Sequence, residues 1–383
     1  VTETQIDKLH GAARRALLVG AIALAVAVLV GLLRPAAFFY GYLCGFVLWS
    51  GVPLGAAALL MMHHLVSGRW GWSIRGLLEA AAITLPLLLP LFVPLAVGAP
   101  ELYGWVHPSV ATVEQASPFR HTYLTLPFFL ARAAAFLVLW GAGGWLLVRW
   151  SRRQPVGARD VTWGLARLSA VGLVVYFLTE SFAGVDWIGS LAVNWYSSVL
   201  GLYLIVGQAL TALATVILLA LVLQRRFGVE NALAPAMLND LGNLLLAFVV
   251  LHAYLAYAQF FIIWNGNLPR ANTWYAPRMG GFWGWASWLL ILVHFGLPFF
   301  ALLFRRVKRD QRTLLALVLV ILSARAFEAL WLVLPAAPQP QWLGVMLALC
   351  AMVGIGGIWL AVFAWRYGSA PARSASAAAP GGS

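Results

Sequence analysis

Residues 197–224 read SSVLGLYLIVGQALTALATVILLALVLQ, a stretch without one charged side chain that ends on Arg225-Arg226. A membrane-spanning helix needs about 20 mainly apolar residues. This stretch exceeds that and stops on paired cations, so it is read as a span. Nine further segments meet the same standard. The ten predicted spans are 13–33, 38–66, 75–98, 126–149, 163–183, 197–224, 241–264, 281–304, 313–334 and 342–366. Residues 1–12 are then an N-terminal segment, 13–366 a membrane domain, and 367–383 an Ala/Ser/Pro/Gly-rich disordered tail.

Composition agrees. Apolar residues make up 62% of the 383 and charged ones only 10%, far below the roughly one quarter usual in soluble domains. The fold class expected is an all-α integral membrane protein with about ten transmembrane helices. The run after residue 12 lacks a cleavage motif and reads as a first span rather than a removed signal peptide. Nineteen of the 25 Lys and Arg residues fall at one set of span ends, in clusters such as Arg152-Arg153 and Arg305-Arg306-Val307-Lys308-Arg309. Four (Arg34, Arg120, Arg270, Arg278) fall at the other, and Arg132 and Arg325 lie within spans. The positive-inside rule then places both termini in the cytoplasm. The same placement accounts for the net charge of +13 without nucleic acid.

Cys44 and Cys350 each sit alone in an apolar run, so no thiolate-ligated cluster, zinc or covalent haem is expected. No Walker, Rossmann, Ser/His/Asp or zincin pattern occurs. Pro86, Pro90 and Pro94 form a stripe on the third span. Each removes a backbone donor, so a bent helix is expected, with the stripe facing protein or a wet cavity. Spans two to five and six to nine both end in a proline-bearing loop followed by a basic loop. This weak repeat suggests two four-helix bundles with the first and last helices outside.

Ionisable groups inside a bilayer are costly and therefore come first as candidate sites. Arg325 and Glu328, three apart on the ninth span, share a face and can pair. They form either a proton or quinone-headgroup station or a structural ion pair. Glu180 and Asp186 lie toward the external side, where a carboxylate can take or pass a proton. Glu79 and Asp240 lie near the cytoplasmic ends and could open an inward path. His252 and His294 fall mid-span on successive helices, as axial ligands of a b-type haem, a proton relay or polar packing. Arg132 is expected at the external interface or paired with a carboxylate such as Glu180. No metal site is expected.

Four segments in order carry a resemblance: His63-His64-Leu65 with Gly68-Arg69-Trp70-Gly71; Tyr123-Leu124 with Pro127-Phe128-Phe129 and Arg132; Val185-Asp186-Trp187 with Ser190-Leu191 and Trp195-Tyr196-Ser197-Ser198; and Asp240-Leu241-Gly242-Asn243-Leu244 leading to Gln259-Phe260-Phe261-Ile262-Ile263-Trp264-Asn265-Gly266-Asn267-Leu268-Pro269. Over residues 37 to 310 the chain resembles the ActF-type membrane subunit of bacterial alternative complex III, in the NrfD/polysulfide-reductase-like family. Arg270, Ala271 and Asn272 stand where that family often has acids after Asn-Leu-Pro, and His252 where an aromatic residue is expected.

The resemblance implies a subunit of a respiratory quinol:cytochrome c oxidoreductase in the bacterial inner membrane. Its implied partners are a homologous NrfD-like membrane subunit, an iron–sulfur protein related to molybdopterin oxidoreductases, multihaem c-type cytochromes, a terminal oxidase and lipids. Haem and iron–sulfur clusters would sit in those partners, with none in this chain. The better-supported quinol site of that family lies in the sister subunit, while this chain supplies a proton-conducting or quinone-binding network. The rival readings are a b-haem-binding quinone oxidoreductase subunit and a secondary transporter.

Overall fold

The computed structural model describes residues 2–107, 122–154, 161–192, 195–228, 233–267 and 272–369. Arg120, Arg159, Pro269, Arg270, Arg373 and the tail from 370 onward lie outside the described residues. The chain is 88% helical with no strands among the described residues, and ten helices are long and apolar enough to cross a membrane. They are α1 Glu3–Leu33, α2 Pro35–Val66, α3 Arg69–Val97, α4 Leu126–Arg152, α5 Trp163–Leu191, α6 Leu200–Phe227, α7 Pro235–Gly266, α8 Gly281–Leu303, α9 Gln311–Ala336 and α10 Gln341–Gly368. A helix satisfies its own backbone, which lipid cannot do for it.

Residues 3–12, expected as a separate segment, are the first turns of α1. Thr2 and Gln5 form a capping box that starts the helix there. α9 is started by Asp310, whose carboxylate accepts from the Thr313 backbone N–H at 2.9 Å. The hydrogen bonds from Thr313 hold that carboxyl below its usual pKa.

The helices α2 to α5 pack as one bundle and α6 to α9 as a second. They join through α2 against α6, and α1 pairs with α10 along the outside of α2. Burial follows this plan: 83% of the most apolar stretch of α2 and 78% of that of α6 is buried, against 17% for α1. Successive spans alternate in direction, so α2 and α6 run the same way and the repeat is parallel, not inverted. One end of the bundle carries the basic clusters and is called the basic end below.

Small residues set the closest approaches, as is usual between membrane helices. A Cβ on Gly55 of α2 would lie 2.1 Å from the Gln208 carbonyl oxygen of α6, and one on Gly357 of α10 would lie 2.3 Å from the Ala16 carbonyl of α1. Gly55→Val therefore forces apart the seam between the bundles. Overpacking costs about 1–3 kcal/mol, and more where the obstacle is backbone. A clear fall in melting temperature in detergent is the expected result, and an unchanged melt would show that the seam tolerates a side chain.

α3 breaks where its prolines begin. The α-helical turns stop at Ala82, a 3-10 turn spans Leu85–Leu87, and the helix resumes at Leu88. The expected bend is present. Of the stripe, Pro86 lines an open groove with Arg149 and Arg152, Pro94 is half-buried and Pro90 is exposed. The 3-10 turn re-pairs backbone groups locally (Leu87 N–H to Thr84 C=O, 2.9 Å).

Trp264, Trp285, Trp288 and Trp342 are exposed at the end opposite the basic clusters, a placement that suits a membrane–water interface. There the loops after α5 and α7 lock together, with Trp195 stacked on Trp274 at 4.3 Å and Arg278 over Trp274 at 3.6 Å. Arg278 is buried and donates to the carbonyls of Trp331 and Leu332, near the end of α9. A cation suits the carbonyls of a helix C-terminus.

Candidate functional site

The sequence put Arg325 and Glu328 one turn apart on α9, and the two side chains pair directly. Arg325 also donates from Nε to Thr211 Oγ1 of α6 at 2.9 Å, and its Nη1 lies 3.1 Å from His252 Nε2 of α7. Glu328 accepts from the Tyr203 hydroxyl of α6. Its Oε1 lies 3.3 Å from His252 Nε2, and its Oε2 lies 3.2 Å from His294 Nδ1 of α8. All four helices of the second bundle meet here, and none of the six residues is more than 7% exposed. Gly207 makes the space, since a Cβ there would stand 2.6 Å from the guanidinium.

His294 reaches the cluster through a π-helical segment, Ile291–Gly296. Pro298, four residues beyond His294, has no N–H to return to the His294 carbonyl. The helix widens there, a distortion common at functional positions. His294 Nε2 has no hydrogen-bond partner among the described residues.

His252 Nε2 stands between a group that only donates, Arg325, and a group that accepts when ionised, Glu328. With its lone pair exposed it accepts from Arg325. With a proton on Nε2 it donates to Glu328 instead. A proton arriving at this ring therefore changes its partner, which is what a relay group must do.

The carboxylate and ring nitrogens of His252, His294 and Glu328 lie within 4.8 Å of one another, a spacing compatible with a metal ion. The Arg325 guanidinium already supplies the positive charge, so a divalent ion would stand against a fixed cation. The two rings are 4.8 Å apart by centroid, tilted 51°, and both directed at Glu328. That arrangement leaves no gap for a macrocycle between them.

The first bundle holds its own carboxyl. Glu180 of α5 accepts from Gln208 Nε2 of α6 at 2.5 Å, and Gln208 Oε1 accepts from the Tyr176 hydroxyl at 2.5 Å. The other Glu180 oxygen has no hydrogen-bond partner among the described residues. No cation among the described residues forms an ion pair with Glu180. An amide has no titratable proton, so Gln208 orients Glu180 rather than relaying. Gln208 and Thr211 lie three apart on one face of α6, the first serving Glu180 and the second Arg325. Glu180 is 17 residues past the start of α5 and Glu328 is 17 past the start of α9. Each is the last helix of its bundle, so the repeat sets one buried carboxyl at the same register in each half.

Polar clusters flank these. Asp186 pairs with Arg132 of α4 through two contacts of 2.9 Å and is fully buried. The partner of Arg132 is therefore Asp186 and not Glu180. Tyr123 and Phe128 cover the guanidinium at 3.8 and 4.3 Å. Six residues separate Glu180 from Asp186, about 9 Å of helix rise. At the basic end Glu79 accepts from Arg75 at 2.9 Å and from Ser151 at 2.6 Å, with Arg152 at 3.6 Å. His64 hydrogen-bonds Ser169 and Ser151 at 2.9 and 3.3 Å, while His63 packs edge-on against Trp72. Asp240 is apart from these, partly exposed and 3.7 Å from Arg69.

Tyr176, Tyr203, Gln208, Thr211 and Lys308 were not among the sequence candidates. Lys308 is buried between α8 and α9 and donates to Asn243 at 2.6 Å. Burial and the neighbouring Arg305 lower its pKa. Gln208 had a signal, as the one amide in the middle of an uncharged span. At the opposite end Phe260, Trp264 and Tyr275, with Asn267 and Asn272, line an open cavity of about 350 Å³. No family model matches the chain, and no curated protein matches it.

Proposed function

We propose that this chain is a membrane subunit of a respiratory quinol:cytochrome c oxidoreductase of the alternative complex III type. In this reading it lies in a bacterial inner membrane with both termini cytoplasmic. It anchors a homologous NrfD-like subunit, an iron–sulfur subunit and multihaem c-type cytochromes, and associates with a terminal oxidase. The observation that carries the reading is the pair of buried carboxyl clusters at one register in two parallel bundles. The four sequence segments and the 19-to-4 split of basic residues support it.

Oxidation of a quinol releases two electrons and two protons. The electrons go to centres in the partners. The task left to this chain is to hold and pass protons. Glu180 has a free carboxyl oxygen to accept one. Glu328 exchanges with His252, His294 and Tyr203, while Arg325 keeps the cluster from accumulating negative charge. Asp186 with Arg132 and Glu79 with Arg75 lie toward the two membrane faces. Buried charges in membrane helices commonly mark such pathways.

A tagged chain extracted in mild detergent tests the assignment. It is expected to bring c-type haem polypeptides and a second multi-pass subunit, with c-type haem in the pyridine haemochrome spectrum. Recovery alone or as a homo-oligomer would favour a transporter. A b-type spectrum from this chain purified without partners would favour the haem-binding reading.

A further inference from the structure

We infer that the groove between α3, α4 and α10 at the basic end is a binding site for an anionic phospholipid. The groove has a volume of about 470 Å³ and carries Arg149, Arg152, Arg153 and Arg366 on its rim. Its origin is local. The α3 helix breaks before Pro86, which lines the groove, and the last turn of α4 presents Arg149, Arg152 and Arg153 at spacings of three and four, on one face. Arg366 enters from the last turn of α10.

Among the described residues, the one carboxylate within ion-pair distance of these four is Glu79, 3.6 Å from Arg152 and already bound by Arg75. The groove therefore has a surplus of positive charge. Guanidinium forks match phosphate oxygens in pairs, and basic pockets between helices at this depth suit lipid headgroups. A positive-inside bias alone needs charge but not a groove. The wall selects among phosphates: Pro86 and Trp145, both exposed, line the groove with Ile83 and Val148, and Arg149 stands over Trp145 at 5.0 Å. A free anion gains nothing from an apolar wall, whereas an acyl chain does.

The test uses the full chain with whatever subunits accompany it, delipidated in detergent. Binding of phosphatidylglycerol, phosphatidylcholine and inorganic phosphate is measured by native mass spectrometry and by shifts in melting temperature. Phosphatidylglycerol is expected to bind and raise the melting temperature, with the other two at least about tenfold weaker. Arg149→Gln, Arg153→Gln and Arg366→Gln together are expected to weaken it roughly hundredfold, and the three lysine replacements to stay within about tenfold of wild type. Arg152 is left intact because Glu79 depends on it. If the triple glutamine variant does not fold, Arg366→Gln alone is expected to lose about fivefold. Undiminished binding by the glutamine variants, or equal binding of phosphatidylcholine, would overturn the inference. Displacement by phosphate at similar concentration would make this a free-anion site and overturn it too. Turnover is not read, so the result is independent of the proposed respiratory role.

Discussion

Glu328→Gln is expected to destabilise the folded chain by about 3–5 kcal/mol, read as a lower melting temperature and poor recovery from the membrane. The substitution keeps the shape of the side chain and a place for the Tyr203 hydroxyl, so little packing is lost. It removes the one negative charge beside Arg325. The guanidinium would then be buried on α9 with only Thr211 and the imidazole of His252 as neutral partners. Desolvating an ion is costly, and the cost is offset only while the counter-ion is present. Adding Arg325→Met to Glu328→Gln removes both charges, and most of the lost stability is expected to return. Equal melting of wild type and Glu328→Gln would mean that the pair does not hold the second bundle together. A double variant no better than the single would point to packing rather than charge.

The fold was largely legible because lipid imposes one rule on every span. Hydrophobic length and the basic clusters located ten helices, and the loop pattern located the two bundles. What the pattern could not show was where a helix departs from α geometry. Pro298 looks like one more proline in an apolar run, and only the packed structure shows that it widens α8 at His294. The proline stripe of α3 foretold a bend but not its form, for a related reason. Backbone groups freed by proline can be re-paired by a local 3-10 turn, and sequence alone does not say which remedy the chain uses.

The site was half legible. Charged residues stand out in apolar spans, so Glu180, Asp186, Arg325 and Glu328 were found. Their partners were assigned less well, because a helix face is set by sequence but its neighbour is set by packing. Arg132 reaches Asp186 rather than Glu180 for that reason. Tyrosine, threonine and glutamine are common enough in membrane helices that Tyr203, Thr211 and Gln208 carried little signal on their own. The matching register of Glu180 and Glu328 was readable only after the helix starts were fixed, at Trp163 and Gln311.

That register gives the second large effect. Glu180→Gln in the complex proposed above is expected to leave the melting temperature near wild type, unlike Glu328→Gln, because Glu180 has no cationic partner among the described residues to strand. The amide can still accept from Gln208 Nε2. What it cannot do is gain and lose a proton. If Glu180 carries protons through the first bundle, their transfer is expected to fall by about two orders of magnitude, the usual contribution of one positioned acid–base group. The measurement pairs quinol-driven electron transfer with a pH-sensitive dye in proteoliposomes. Electron transfer that continues while proton movement collapses would assign Glu180 to the proton path and separate the two bundles by role, since the second bundle's carboxyl would then be insufficient alone. Normal proton stoichiometry in this variant would remove the first bundle from the pathway. The unpartnered oxygen of Glu180 would then be a tolerated cost of packing α5 against α6, and the second-bundle cluster of Glu328, His252 and His294 would have to carry the protons unaided.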